Sequence, residues 1–149
     1  MRRAVAVVAV AVLVSGCSGL PDLTQPSPAA SVAGECVEVM ASLPRQVMGQ
    51  DRTLVDGFIA TWGDPRISLR CGVEPPANLT RTSHCDELNG VGWFSEEPGE
   101  AIKGAWRFTT LGRSGFIEVV VPEEYEPAGD VLIDLTDSVG AMTLVTPCA

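Results

Sequence analysis

Positive charge is scarce in this 149-residue chain. Ten Lys and Arg stand against nineteen Asp and Glu, a formal net charge of −9, and Lys103 is the only lysine. Such a deficit argues against a nucleic-acid partner, which rewards basic patches, and against adsorption to anionic headgroups. Histidine is limited to His84, and neither H-E-x-x-H nor C-x-x-C occurs, so the usual zinc patterns are missing. There is no G-x-S-x-G, and any serine triad would have to use that one histidine. The sequence therefore implies no cofactor and no metal. No apolar run approaches the roughly 20 residues of a membrane-spanning helix. The near-absence of lysine accords with the codon usage of a high-GC, actinobacterial source and carries no functional weight.

The first residues are better endowed. Arg2 and Arg3 precede an unbroken apolar run, Ala4 to Val14, which ends in Val14-Ser15-Gly16-Cys17. A basic start, a short apolar stretch and small residues before a cysteine resemble a bacterial lipobox. We expect residues 1–16 to be a lipoprotein signal peptide and Cys17 to carry diacylglycerol, whose two acyl chains give a stable anchor. The expected location is the extracytoplasmic face of the cell membrane. Residues 17–34, rich in Ser, Pro, Ala and Gly, read as the lipidated cysteine and a flexible tether. Residues 35–149 read as one domain.

Four cysteines then remain: Cys36, Cys71, Cys85 and Cys148. In an exported domain four cysteines most often form two disulfides. The expected pairing is Cys71–Cys85, closing a proline-containing loop, and Cys36–Cys148, tying down the C-terminal tail; Cys36–Cys71 with Cys85–Cys148 is the alternative. His84 beside Cys85 thus flanks a staple, not a reactive thiol.

Helical spacing of Cys36, Met40 and Leu43 before Pro44 predicts a short helix. Pro44 to Asp56 reads as turn-like. Gly57–Trp62 and Arg66–Val73 read as a hairpin about Gly63-Asp64-Pro65, Asn89–Ser95 as a strand, and Gly104–Leu111 with Phe116–Val121 as a second hairpin. In Asp130 to Val139, Leu132, Leu135 and Val139 share one helical face, with Asp130 as a candidate N-cap; one more strand, through Val131, Ile133 and Leu135, is the alternative. The fold class expected is α+β: an antiparallel sheet of about five strands with terminal helices packed on one face, stapled by disulfides.

The block W62-G-D-P-R-I-S-L-R-C-G-V73, the pattern C85-x-x-x-N-G-V-x-W93 and the strand ending V119-V-V-P122 resemble an actinobacterial family of exported proteins, the domain-of-unknown-function family numbered 3515. That resemblance implies no transferable catalytic residue. It implies genes lying near a D-alanine–D-alanine ligase gene, and through them an envelope role.

Function is the least legible level. The main expectation is a non-enzymatic envelope module that binds a partner protein or cell-wall ligand. The alternative is a hydrolase using paired carboxylates, Asp64 with Asp86 or Glu96 with Glu97. Strand alternation places Arg66, Arg70, Arg107 and Glu118 on one face, with Trp62 at its edge, as a candidate binding face. The arginines there either pair with Glu118 across strands or receive a carboxylate, which a planar guanidinium suits.

Overall fold

The structure, a computed structural model, describes residues 23–99 and 102–148. The signal peptide and the lipidation position Cys17 lie outside the described residues.

Helix α1 (Ala30–Ser42) buries Cys36, Val39 and Met40, three positions on one helical face. It stops at Leu43, whose ψ of 137° is extended, as the residue before a proline prefers. Strands β1 (Gln46–Val47) and β2 (Gln50–Asp56) follow. They turn through Met48 and Gly49, both at positive φ, as a two-residue hairpin loop demands. This stretch reads as turn-like by composition, because β2 is polar and mostly exposed. Strands β3 (Ile59–Trp62) and β4 (Ile67–Val73) then form the expected hairpin.

Residues 74–85 cross to β5 (Asp86–Leu88) and β6 (Val91–Glu96). The residues between them, Asn89-Gly90, have φ of 50° and 78°. That dipeptide is a turn, not part of a strand Asn89–Ser95 as expected, and it separates β5 from β6. Strands β7 (Ala105–Leu111) and β8 (Phe116–Pro122) lead through a 3-10 turn, Glu123–Tyr125, to helix α2 (Ala128–Gly140). Asp130 lies in the first turn of α2 and is not its cap; the helix starts directly after Pro127.

All eight strands make one antiparallel sheet in the order β1-β2-β3-β4-β8-β7-β6-β5. The expectation of about five strands was therefore wrong; β1, β2 and β5 are those it missed. The sheet is two four-stranded meanders joined where β4 meets β8, with Leu69 opposite Val119 and Arg70 opposite Glu118. Helix α2 contacts β1 at one sheet edge and β5 at the other, as well as β6 and β8. The sheet thus curves around the helices, and the core fills its concave side. Trp62, Ile67, Leu69, Cys71, Trp93, Phe108, Ile117, Val119 and Val121 meet the buried faces of α1 and α2 there.

The disulfides are Cys36–Cys71 and Cys85–Cys148, with Cα separations of 5.6 and 5.8 Å. The first-choice pairing is overturned, and topology gives the reason. Cys71–Cys85 presumed that consecutive strands are neighbours, but β4 adjoins β8, so β8, β7 and β6 separate β4 from β5. Cys71 sits on the core face of β4, beneath α1, and meets Cys36 on the buried helix face. Cys85 precedes the edge strand β5 and meets the C-terminal tail.

Ordered structure also begins earlier than Glu35. Gln25 accepts a bond from the Phe58 amide at 3.1 Å and donates to the Asp56 carbonyl at 2.8 Å. Residues 24–28 consequently form a strap along the convex side of the sheet, and only then does α1 begin.

Candidate functional site

Pairing register decides which side chains share the convex face. Arg70 opposes Glu118, Thr109 opposes Glu118 from the other side, and Arg107 opposes Glu96. These residues alternate with core residues, so they project away from the helices. Arg70 Nε donates to Glu118 Oε1 at 2.9 Å. Arg107 Nε lies 3.3 Å from Glu118 Oε2, within ion-pair range. Arg107 Nη1 stands 3.7 Å from Glu96 Oε2, and Asn78 donates to Glu96 Oε1 at 3.1 Å. Four strands' worth of charge is thereby linked in a row, two guanidinium groups against two carboxylates. Arg70 and Glu118 are mostly buried, so removing either partner would leave the other charge unanswered. The ordering of these charges across β4, β8, β7 and β6 helps fix register, because like charges opposite each other are unfavourable.

This face is not an open surface. Ile59, Thr61, Ser68 and Thr109 on it are all buried. The strap runs over it: Arg70 Nη1 donates to the Thr24 carbonyl at 3.2 Å, and Pro28 lies against Gly72 so closely that a Cβ there would overlap its ring. Between strap and sheet remains a cleft of about 390 Å³, lined in part by Gln25, Arg70, Glu74 and Glu118. A small polar ligand entering it would meet Arg70 already engaged with Glu118.

Other expected site residues disperse. Trp62 is fully buried on the concave side, its indole donating to the Pro44 carbonyl at 3.1 Å. It pairs with Ile67, a core residue, and so cannot edge the arginine face; the sequence reading erred in taking a residue next to the turn as exposed. Arg66 lies in the β3–β4 turn and joins none of these ion pairs. Asp64 is exposed in that same turn, while Asp86 is on β5, with four strands between it and β3. That separation is incompatible with one shared catalytic step. Glu96 belongs to the charge row, and its neighbour Glu97 is exposed. The hydrolase pairs are thus not assembled by the fold.

His84 is 86% exposed, and its Nε2 lies 3.0 Å from Asp86 Oδ1. Ser95 Oγ donates to Asp86 Oδ2 at 3.0 Å. The carboxylate stands between the hydroxyl and the imidazole, an order in which histidine does not meet the serine proton and general-base activation fails. Among the described residues no group of three or more His, Cys, Asp or Glu is placed to hold a metal ion.

Two polar residues escaped sequence reading altogether. Ser114 Oγ stands 2.9 Å from both carboxylate oxygens of Glu35 and shares its one proton between them, while Oε2 also accepts the Thr143 amide at 2.6 Å. The Thr143 amide, then Ser114, holds the Glu35 carboxyl below the ordinary glutamate range. Arg113 donates to the carbonyls of Gly140, Met142 and Gly90, at 3.1, 2.7 and 3.1 Å. It closes the C-terminal end of α2, where unpaired carbonyls and the helix dipole favour a cation. Nothing in a Gly-Arg-Ser-Gly turn announces a partner nearly thirty residues away.

On the concave side, at the N-terminus of α2, a second cleft of about 300 Å³ opens between Trp106, Phe108, Glu126, Pro127, Ala128 and Gly129. Trp106 lies nearly parallel to Phe108, at 6.1 Å between centroids and 12° between planes. Its indole nitrogen donates to Glu126 Oε1 at 3.1 Å.

The class defined by these features is a small α+β domain, one curved eight-stranded antiparallel sheet around two helices, held by two disulfides. The chain belongs to the protein family of unknown function DUF3515, whose profile matches residues 3–146. Comparison with curated proteins and with solved structures finds no match.

Proposed function

We propose that this protein is a lipid-anchored, extracytoplasmic module of the cell envelope that binds a partner and performs no chemistry of its own. The observation that carries the reading is the pair of disulfides. Both join segments distant in sequence, 35 and 63 residues apart, and such bonds persist in oxidising compartments outside the cytoplasm. An export signal at the N-terminus and a lipobox cysteine at position 17 accord with that placement. Dispersal of the candidate carboxylates weighs against the hydrolase alternative.

Cell fractionation tests the anchor. Replacement of Cys17 by Ala is expected to release the protein from membranes or to block its processing, whereas the wild type partitions with them. A Cys17→Ala protein that is processed normally and stays membrane-bound refutes the lipid anchor. Crosslinking in living cells with the wild type, followed by identification of bound material, tests the binding role.

A further inference from the structure

The concave-side cleft at Trp106 combines an aromatic wall with a surround of one charge sign. From Ser114 to Ala149 the chain carries Glu118, Glu123, Glu124, Glu126, Asp130, Asp134 and Asp137 and not one Lys or Arg. Apart from Glu118, all of these are exposed. Glu123, Glu124 and Glu126 lie in the segment that leads into α2. Asp130, Asp134 and Asp137 share the outward helix face, spaced four and three apart, with Ile133 among them at 46% exposure. The cleft therefore sits at the head of an acidic ridge, and among the described residues no basic one lines it.

Its interior is built for a particular chemistry. Trp106 and Phe108 offer aromatic surface to a cation, and tryptophan is the strongest such partner. Glu126 uses one carboxylate oxygen to fix the Trp106 indole. No described residue bonds its other oxygen, which is left to accept from an entering donor. The carboxylates of Glu123, Glu124 and Glu126 repel an anionic ligand, against the pull of the α2 N-terminus beside them, and a neutral ligand gains nothing from the acidic surround. A lysine or arginine side chain satisfies both the rings and the carboxylate, its aliphatic stem against the rings. The volume, about 300 Å³, is at the small end of ligand pockets and suits one side chain. The acidic ridge along α2 then accommodates further bases of the same segment.

We propose that the Trp106–Phe108 cleft receives a Lys or Arg side chain from a basic segment of a partner protein, with Glu126 as its counter-charge. This deepens the binding-module reading and places the site on the side of the sheet opposite the arginine row.

The test is titration of the purified protein with the peptide acetyl-Gly-Arg-Gly-Arg-Gly-amide, read by tryptophan fluorescence. Trp62 and Trp93 are 0% and 1% exposed, so a surface ligand reports through Trp106. A saturable change is expected, weakened about tenfold by Glu126→Gln, since loss of a close charge partner costs on that order. Trp106→Ala also removes the reporter, so its binding is read by isothermal titration calorimetry, where the heat of binding seen with wild type is expected to be lost. Glutamine at 126 keeps an acceptor for the indole, so that variant remains folded and informative whatever Trp106→Ala does. Binding should also weaken as salt rises from about 0.05 to 0.5 M, where rim charges are screened. The proposal is overturned by no saturable change, by equal binding of acetyl-Gly-Gln-Gly-Gln-Gly-amide, by indifference to Glu126→Gln, or by preference for an oligomer of N-acetylglucosamine. Any of these leaves the Cys17 anchor, which fractionation reads separately, unaffected.

Discussion

Gly112 is the position at which one methyl group should do most damage. It follows β7 directly with φ of +71°, and a Cβ there would collide with the backbone carbonyl of Thr146. Its own carbonyl accepts the amides of Val145 and Thr146, at 2.7 and 2.9 Å. Gly112→Ala thus incurs two costs. The left-handed conformation disfavours any L side chain by about 1–2 kcal/mol. The tail must also withdraw, giving up two backbone bonds at roughly 1 kcal/mol each. The total is about 3 kcal/mol, a large part of the 5–15 kcal/mol typical of a domain. Equilibrium urea denaturation of the oxidised protein measures it, and amide exchange at Val145 and Thr146 should accelerate. Gly140→Ala is the control: an added Cβ there meets nothing within 4 Å and the backbone is already helical, so stability should hold or rise by up to about 1 kcal/mol. A Gly112→Ala protein within about 1 kcal/mol of wild type, its tail amides still protected, would refute the account.

Removing the Cys36–Cys71 bridge by the double replacement Cys36→Ser, Cys71→Ser should cost about 4 kcal/mol, from the chain entropy of a 35-residue loop; a midpoint change of under half that in urea would show that packing of α1 on β4 suffices. Glu35, its carboxyl held below its ordinary value of 4.5 by the Thr143 amide and Ser114, stabilises the fold above that pH, and its contribution is lost as pH falls through the lowered value. Thermal denaturation between about pH 3 and pH 6 should therefore show a smaller acid-side fall in Glu35→Gln than in wild type; parallel curves would mean that the carboxylate contributes nothing.

Much of the local structure was legible because it depends on local chemistry. Helix α2 follows from the spacing of Leu132, Leu135 and Val139, and the β7–β8 hairpin from two alternating strands about a Gly-bearing turn. The alternation that put Arg70, Arg107 and Glu118 on one face, opposite Trp106 and Phe108, depends only on the two-residue period of a strand. Where local composition was atypical it misled. β2 has only Leu54 and Val55 as apolar residues and is held by its neighbours on the sheet; the two-residue β1 covers only its start, and strands left largely as an exposed edge need few apolar residues.

Sequence by itself determined that this chain is strongly acidic, carries four cysteines beyond Cys17 and alternates its apolar residues to bury one sheet face. Only the tertiary structure decided that β4 adjoins β8. That single adjacency sends Cys71 to Cys36 instead of Cys85, and lines Arg70, Glu118, Arg107 and Glu96 in one row. It also turned Trp62 inward and brought Glu126 up to Trp106, twenty residues away. The physical reason is that periodicity fixes which way a side chain points, whereas its neighbour across the sheet depends on how the whole hydrophobic surface closes, and no short stretch of chain holds that information.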